Sequence, residues 1–137
     1  IFKDENLGSG QGWHKDSYTK QFKSIIYLNN VDTNNGPLQI IKNSRSDIFM
    51  LRAFYKLKNK FPSTRFSDEE INLILDNNNQ IVELTADAGS LILFDSSLIH
   101  RGKKLTSKIR YALTNYYFRK SDFESHNGHF SPLLNKI

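Results

Sequence analysis

The residues with chemistry in them begin at His14 and Asp16, within Gln11-Gly12-Trp13-His14-Lys15-Asp16-Ser17. On an extended strand, positions i and i+2 project to the same face. An imidazole and a carboxylate then stand side by side, and Lys15 turns to the other face. The pair supplies two of the three donors of a 2-His-1-carboxylate set. That set holds non-haem Fe(II) and leaves coordination positions open. A lone His-x-Asp on a surface strand is more often without function. A site also needs a second His on another strand and an anchor for a cosubstrate.

Both follow in order. Leu91-Ile92-Leu93-Phe94-Asp95-Ser96-Ser97-Leu98-Ile99-His100-Arg101-Gly102 reads as an apolar strand, a polar turn and a second apolar approach to His100. Ten residues later, Arg110 opens Arg110-Tyr111-Ala112-Leu113-Thr114-Asn115-Tyr116-Tyr117-Phe118. The planar fork of Arg grips a carboxylate through two parallel hydrogen bonds. An Fe(II) enzyme that uses 2-oxoglutarate needs that grip on the carboxylate remote from the metal. Ala112 and Thr114 share the strand face of Arg110, one leaving room and the other offering a polar neighbour. Tyr27 shares a face with Ile25. Its hydroxyl is a candidate cosubstrate contact, or that of a core aromatic bonded to backbone. Trp13 faces away from His14, toward a core.

At these residues the chain resembles the phytanoyl-CoA dioxygenase family of Fe(II)/2-oxoglutarate-dependent oxygenases, from about Gln11 to Phe118. The stretch Ser24–Ile41 looks like that family's strand, Asn35-Gly36 turn and returning strand. The resemblance implies a mainly β fold, a double-stranded β-helix of the jelly-roll or cupin-like kind. It implies His14, Asp16 and His100 as ligands of Fe(II), and Arg110 as the residue that binds 2-oxoglutarate. The implied reaction consumes O2, hydroxylates a small molecule and yields succinate and CO2. The carboxylate at Asp16 fits hydroxylation, since an Fe(II) halogenase carries Ala or Gly there. Two departures stand out. Gly102 occupies the position where relatives often carry Ser, and Lys42-Asn43-Ser44-Arg45 replaces the usual Pro-Gly-Ser-His. Two other readings stay open: a catalytically inactive remnant, and a cupin-like metal- or small-molecule-binding module. Arg110 counts against the second, because a plain cupin has no use for it.

The elements that must position these residues can be read in turn. Residues 1–12 form a glycine-rich approach. Strands are expected over Trp13–Tyr18, Phe22–Leu28, Leu38–Ile41, Gln80–Thr85, Ser90–Phe94, Ile99–Gly102 and Arg110–Phe118, seven in all. Phe22–Leu28 reads as apolar on both faces. Asn35-Gly36 supplies a turn with positive φ. Residues 46–78 break the strand rhythm with an insert. Ile48, Leu51, Phe54, Tyr55 and Leu57 recur at helical spacing up to Pro62. Ser67 and Glu70 then form a capping box ahead of Ile71, Leu73, Ile74 and Leu75, stopped by Asn77-Asn78-Asn79. The insert either packs on the barrel or borders the substrate mouth. His126 and His129 read as solvated tail.

Composition bounds the rest. The 137 residues, 38% of them apolar, suffice for one domain with a real core. The absence of cysteine excludes disulfides and thiolate metal sites and fits a reducing cytoplasm. No run approaches a membrane span. The net charge of +5 comes from scattered lysines such as Lys56, Lys58, Lys60, Lys103, Lys104 and Lys108. They read as a solvated surface rather than a nucleic-acid groove. The expected partner is therefore a small-molecule substrate, with neither nucleic acid nor membrane, in a cytoplasmic protein. Only thirteen residues precede His14, and the first is not Met. The resemblance thus leads us to expect a domain lacking its N-terminal part. An uncovered apolar patch should then lie on the sheet away from the insert.

Overall fold

Runs of β-branched and aromatic residues produce eight short strands among the residues that the computed structural model describes, 12–58, 63–77 and 80–118. They are β1 (Trp13–His14), β2 (Phe22–Tyr27), β3 (Leu38–Ile41), β4 (Arg65–Phe66), β5 (Ile81–Leu84), β6 (Leu91–Asp95), β7 (His100–Gly102) and β8 (Ala112–Tyr117). Two helices lie between β3 and β5: α1 (Asp47–Leu57) and α2 (Asp68–Ile74). Gln11, Pro62, Asn78, Asn79, His126 and His129 fall outside the described residues.

The strands form two antiparallel sheets, ordered β4-β1-β7-β3-β5 and β6-β2-β8. Neither order follows the chain, so segments distant in sequence become neighbours. Leu38, Ile40 and Phe94 are buried between the sheets, with Ile25, Leu84, Ile92 and Leu98 packed against them. A second core lies on the outer face of the five-stranded sheet. There Trp13, Ile41 and Ile99 meet Phe49, Ala53 and Leu57 of α1 and Ile71 and Ile74 of α2. No helix among the described residues is long and apolar enough to cross a membrane.

A polar ladder crosses this outer face. Trp13 Nε1 donates to Asp68 Oδ1 (2.8 Å), and Arg101 Nη1 reaches the same oxygen (2.6 Å). Arg101 Nε donates to Gln39 Oε1 (2.7 Å), Gln39 Nε2 to Glu83 Oε1 (2.8 Å), and Lys103 Nζ to that same oxygen (2.7 Å). The Arg101 guanidinium also stacks 4.2 Å from the Trp13 ring. The ladder runs from α2 across β1, β7, β3 and β5. It thereby fixes the residues next to His14 and His100.

Several expectations change here. β4 has only two residues, too few to show alternation, yet it pairs with β1, with Trp13 opposite Phe66 and His14 opposite Arg65. β1 ends at His14 instead of reaching Tyr18. β2 is not apolar on both faces: Lys23 and Ser24 are buried while Phe22 and Leu28 are exposed. α1 buries Phe49, Ala53 and Leu57, and leaves Ile48, Leu51, Phe54 and Tyr55 exposed. Both stripes have helical spacing, so periodicity alone marks the helix and does not choose its buried face. The Ser46 cap (accepting from Phe49 N) and the Ser67–Glu70 capping box form.

The three-stranded sheet carries exposed apolar side chains on its outer face. Leu91, Leu93, Leu113, Phe22 and Tyr117 sit there, on the side away from α1 and α2.

The choice of helix face has a measurable consequence. Phe49→Ala should cost about 3–5 kcal/mol, the range for emptying a buried aromatic site. Ile48→Ala should stay within about 0.5 kcal/mol. Denaturant unfolding of the two variants checks this, and equal losses would contradict the burial pattern.

Candidate metal centre

His14 and His100 meet because β1 and β7 pair in a register that sets them directly opposite. Their side chains point to the inner face, and the ring centroids are 4.3 Å apart at 50°. Each ring is oriented by the backbone two residues earlier. His14 Nδ1 lies 2.9 Å from Gly12 O, and His100 Nδ1 lies 2.9 Å from Leu98 O. A carbonyl can only accept, so Nδ1 carries a proton in each ring, and Nε2 is the nitrogen left to take a metal when the ring is neutral. Metal-ligating histidines are commonly oriented in this way. His100 Nε2 is buried with no hydrogen-bond partner. Burial also pulls the His100 pKa down to about 4, although the bond to Leu98 works the other way. The ring is therefore neutral at physiological pH, as a ligand must be.

Asp16 joins the pair from beyond the strand. Lys15 N donates to Thr64 O (2.9 Å) and Asp16 N to Ser96 O (3.0 Å). These two bonds, rather than strand alternation, direct the Asp16 carboxylate inward. Lys15 does turn away: its Nζ donates to Ser44 O (2.9 Å) on the helix side. Asp16 Oδ1 lies 3.5 Å from His14 Nε2 and 3.9 Å from His100 Nε2. All three donor atoms fall within 4.8 Å of one another. Burial disfavours the Asp16 charge. Contacts with His14 and with the Lys23 ammonium more than offset this and hold the carboxyl far below the usual carboxylate range. The carboxylate is thus ionised. Two imidazole nitrogens and one carboxylate oxygen converge, a donor set suited to a divalent first-row cation.

The three residues line a cavity of about 400 Å³ between the sheets. Arg110 and Thr114 line the same cavity, as do Ile25, Leu38, Phe94 and Ala112. Arg110 Nη1 donates to Gly36 O in the Asn-Gly turn. That turn is tied to the approach to Arg110 by Asn35 Nδ2, which donates to Ile109 O (2.9 Å). Gly36 has φ of 65°, and a Cβ there would sit 2.4 Å from Lys103 O. Only glycine fits. Gly102 makes room of another kind: a Cβ on it would stand 2.8 Å from Arg110 Nη2. The departure at this position therefore belongs with the placement of the guanidinium.

Tyr27 is fully buried. Its hydroxyl donates to Leu84 O (2.9 Å) and accepts from Leu38 N (3.0 Å). It also lies within bonding reach of Arg110. It stands behind the arginine and is not among the residues lining the cavity. Two charged residues at the cavity escaped the sequence reading. Arg65 enters through β4, so the insert contributes a side chain to the cavity as well as packing on the sheet. Lys23 lies on the inward-facing side of β2 and pairs with Asp16 Oδ2 at 2.5 Å. The available signal for Lys23 was alternation, since it shares a face with Ile25 and Tyr27.

The family model described as phytanoyl-CoA dioxygenase (PhyH) matches residues 1–112. No curated protein matches the chain.

Saturating the protein with a divalent cation should raise its stability by about 2.7 kcal/mol at a hundred times Kd. His100→Ala should abolish that increment. A cation that stabilises His100→Ala as much as the parent would show that it binds elsewhere.

Proposed function

The chain belongs to the phytanoyl-CoA dioxygenase family, and on that premise we propose an Fe(II)- and 2-oxoglutarate-dependent dioxygenase. It hydroxylates a small molecule, on a double-stranded β-helix formed by the two sheets, with succinate and CO2 as coproducts. The observation that carries this reading is the convergence of His14 Nε2, His100 Nε2 and Asp16 Oδ1, with the His100 lone pair buried and unpartnered. These three atoms would hold the iron. When bound, Fe(II) supplies the activation of O2, coupled to oxidation of 2-oxoglutarate.

The chain's own residues do the rest. Arg110 binds the remote carboxylate of 2-oxoglutarate through its fork. Gly36 O, the Tyr27 hydroxyl and the space left by Gly102 hold that fork in position. Thr114 offers a hydroxyl beside it. Ile25, Leu38 and Phe94 give the cavity apolar walls that limit water around the reacting groups. Arg65 is exposed and lines the cavity, so it stands where a substrate enters. We place the activity in the cytoplasm, in keeping with a chain that has no cysteine.

Anaerobic addition of Fe(II) and 2-oxoglutarate should give the visible charge-transfer band of the chelated cosubstrate, and admitting O2 should release succinate. Absence of both would overturn the reading. Arg110→Lys should weaken 2-oxoglutarate by at least about tenfold while leaving Fe(II) affinity unchanged, because a point charge cannot replace the fork. Equal loss of both affinities would make Arg110 a structural residue. Gly102→Ser should weaken 2-oxoglutarate in the same selective way, by displacing the guanidinium. Unchanged cosubstrate affinity in that variant would separate Gly102 from the arginine's placement.

A further inference from the structure

We propose that Lys23 is a positioning residue of the metal centre, one that holds Asp16 to a single metal-facing oxygen. This rests on the metal-binding part of the function proposed above. The two oxygens of Asp16 have different surroundings. Oδ1 faces the two imidazoles, at 3.5 and 3.9 Å from their Nε2 atoms. Oδ2 faces the Lys23 ammonium at 2.5 Å. A carboxylate free on both sides can chelate a cation through both oxygens.

Lys23 is held where it can prevent this. It is the only cation-bearing residue of β2, and it projects inward from the middle strand of the three-stranded sheet. The residue is 6% exposed. Its cross-strand neighbours are Phe94 and Tyr116, and its Nζ lies 5.9 and 4.5 Å from their ring centroids. Two aromatic walls thus confine the ammonium, and cation–π attraction adds to the confinement. A buried ammonium needs an anionic partner, and Asp16 Oδ2 is the partner in contact. The ion pair also spans the two sheets. It joins β2 to the segment after β1.

The consequence is a count of open positions. Three single protein bonds to an octahedral cation leave three positions. Chelation by Asp16 would leave two, one fewer than a bidentate cosubstrate and O2 require together. Lys23 therefore keeps a position open, at the cost of placing a like charge near the bound cation. Its removal should have opposite effects on two ligands: the cation binds at least as tightly, and 2-oxoglutarate binds more weakly. General damage to the site would weaken both.

The test uses Mn(II) as the probe and water as the count. Broadening of the Mn(II) resonance in 17O-enriched water should report about three coordinated waters on the parent protein and about two on Lys23→Met. Lys23→Gln retains a donor for Oδ2 and should return the count to about three. Lys23→Met should bind 2-oxoglutarate about tenfold more weakly in the presence of Mn(II), with Mn(II) affinity equal or higher. A count of three in both Lys23→Met and Lys23→Gln, with unchanged cosubstrate affinity, would overturn the proposal and leave the metal site intact. A Lys23→Met protein that loses affinity for both Mn(II) and 2-oxoglutarate would also overturn it. Failure of the parent protein to bind Mn(II) at all would instead remove the metal reading on which the proposal rests.

Discussion

The half-buried charge of Asp16 is the interaction on which the rest of the site depends. Burying a carboxylate is unfavourable unless its oxygens find partners. Here one oxygen is given to the imidazole pair and the other to Lys23. Those partners come from both sheets and from strands far apart in the chain. The negative charge of Asp16 therefore links β1, β7 and β2 at one point. In turn, the arrangement leaves one carboxylate oxygen and the Nε2 atoms of both imidazoles facing inward. Such a donor set could hold a cation.

The two histidines show how backbone geometry sets chemistry. Each donates Nδ1–H to the carbonyl two residues before it, and so each turns the same nitrogen, Nε2, toward the other. The strand register supplies the distance and the local backbone supplies the orientation. The ladder from Asp68 to Lys103 holds this register from the far side of the sheet, through the neighbours Trp13 and Arg101. Helix α2 is therefore part of the site's support, although it contributes no donor to it. Arg110 is supported separately, by the Asn35-Gly36 turn and by the missing side chain at Gly102.

The chemistry-bearing residues were legible because their types and order carry the signal. His14, Asp16, His100 and Arg110 need no secondary-structure assignment to be recognised. The reason given for the first pair was only half right. Strand alternation predicts a shared face, but the strand stops at His14, and hydrogen bonds to Thr64 and Ser96 bring Asp16 round. Those partners lie in distant loops that no local pattern exposes. β4 was hidden by its length, and with it Arg65. The buried face of α1 was ambiguous because the helix carries two apolar stripes. Lys23 was passed over because an isolated charge in an apolar run looks like a strand's solvent side. Its alternation with Ile25 and Tyr27 says the opposite.

If these three side chains bind one cation, they do so through specific atoms. A crystal grown without oxygen in the presence of Mn(II), with anomalous differences recorded, tests it most directly. A single strong peak is expected at about 2.0–2.2 Å from Nε2 of His14, Nε2 of His100 and one oxygen of Asp16, with Lys23 still on the other oxygen. A peak bound through Nδ1, a peak away from these residues, or none at full Mn(II) loading would contradict it.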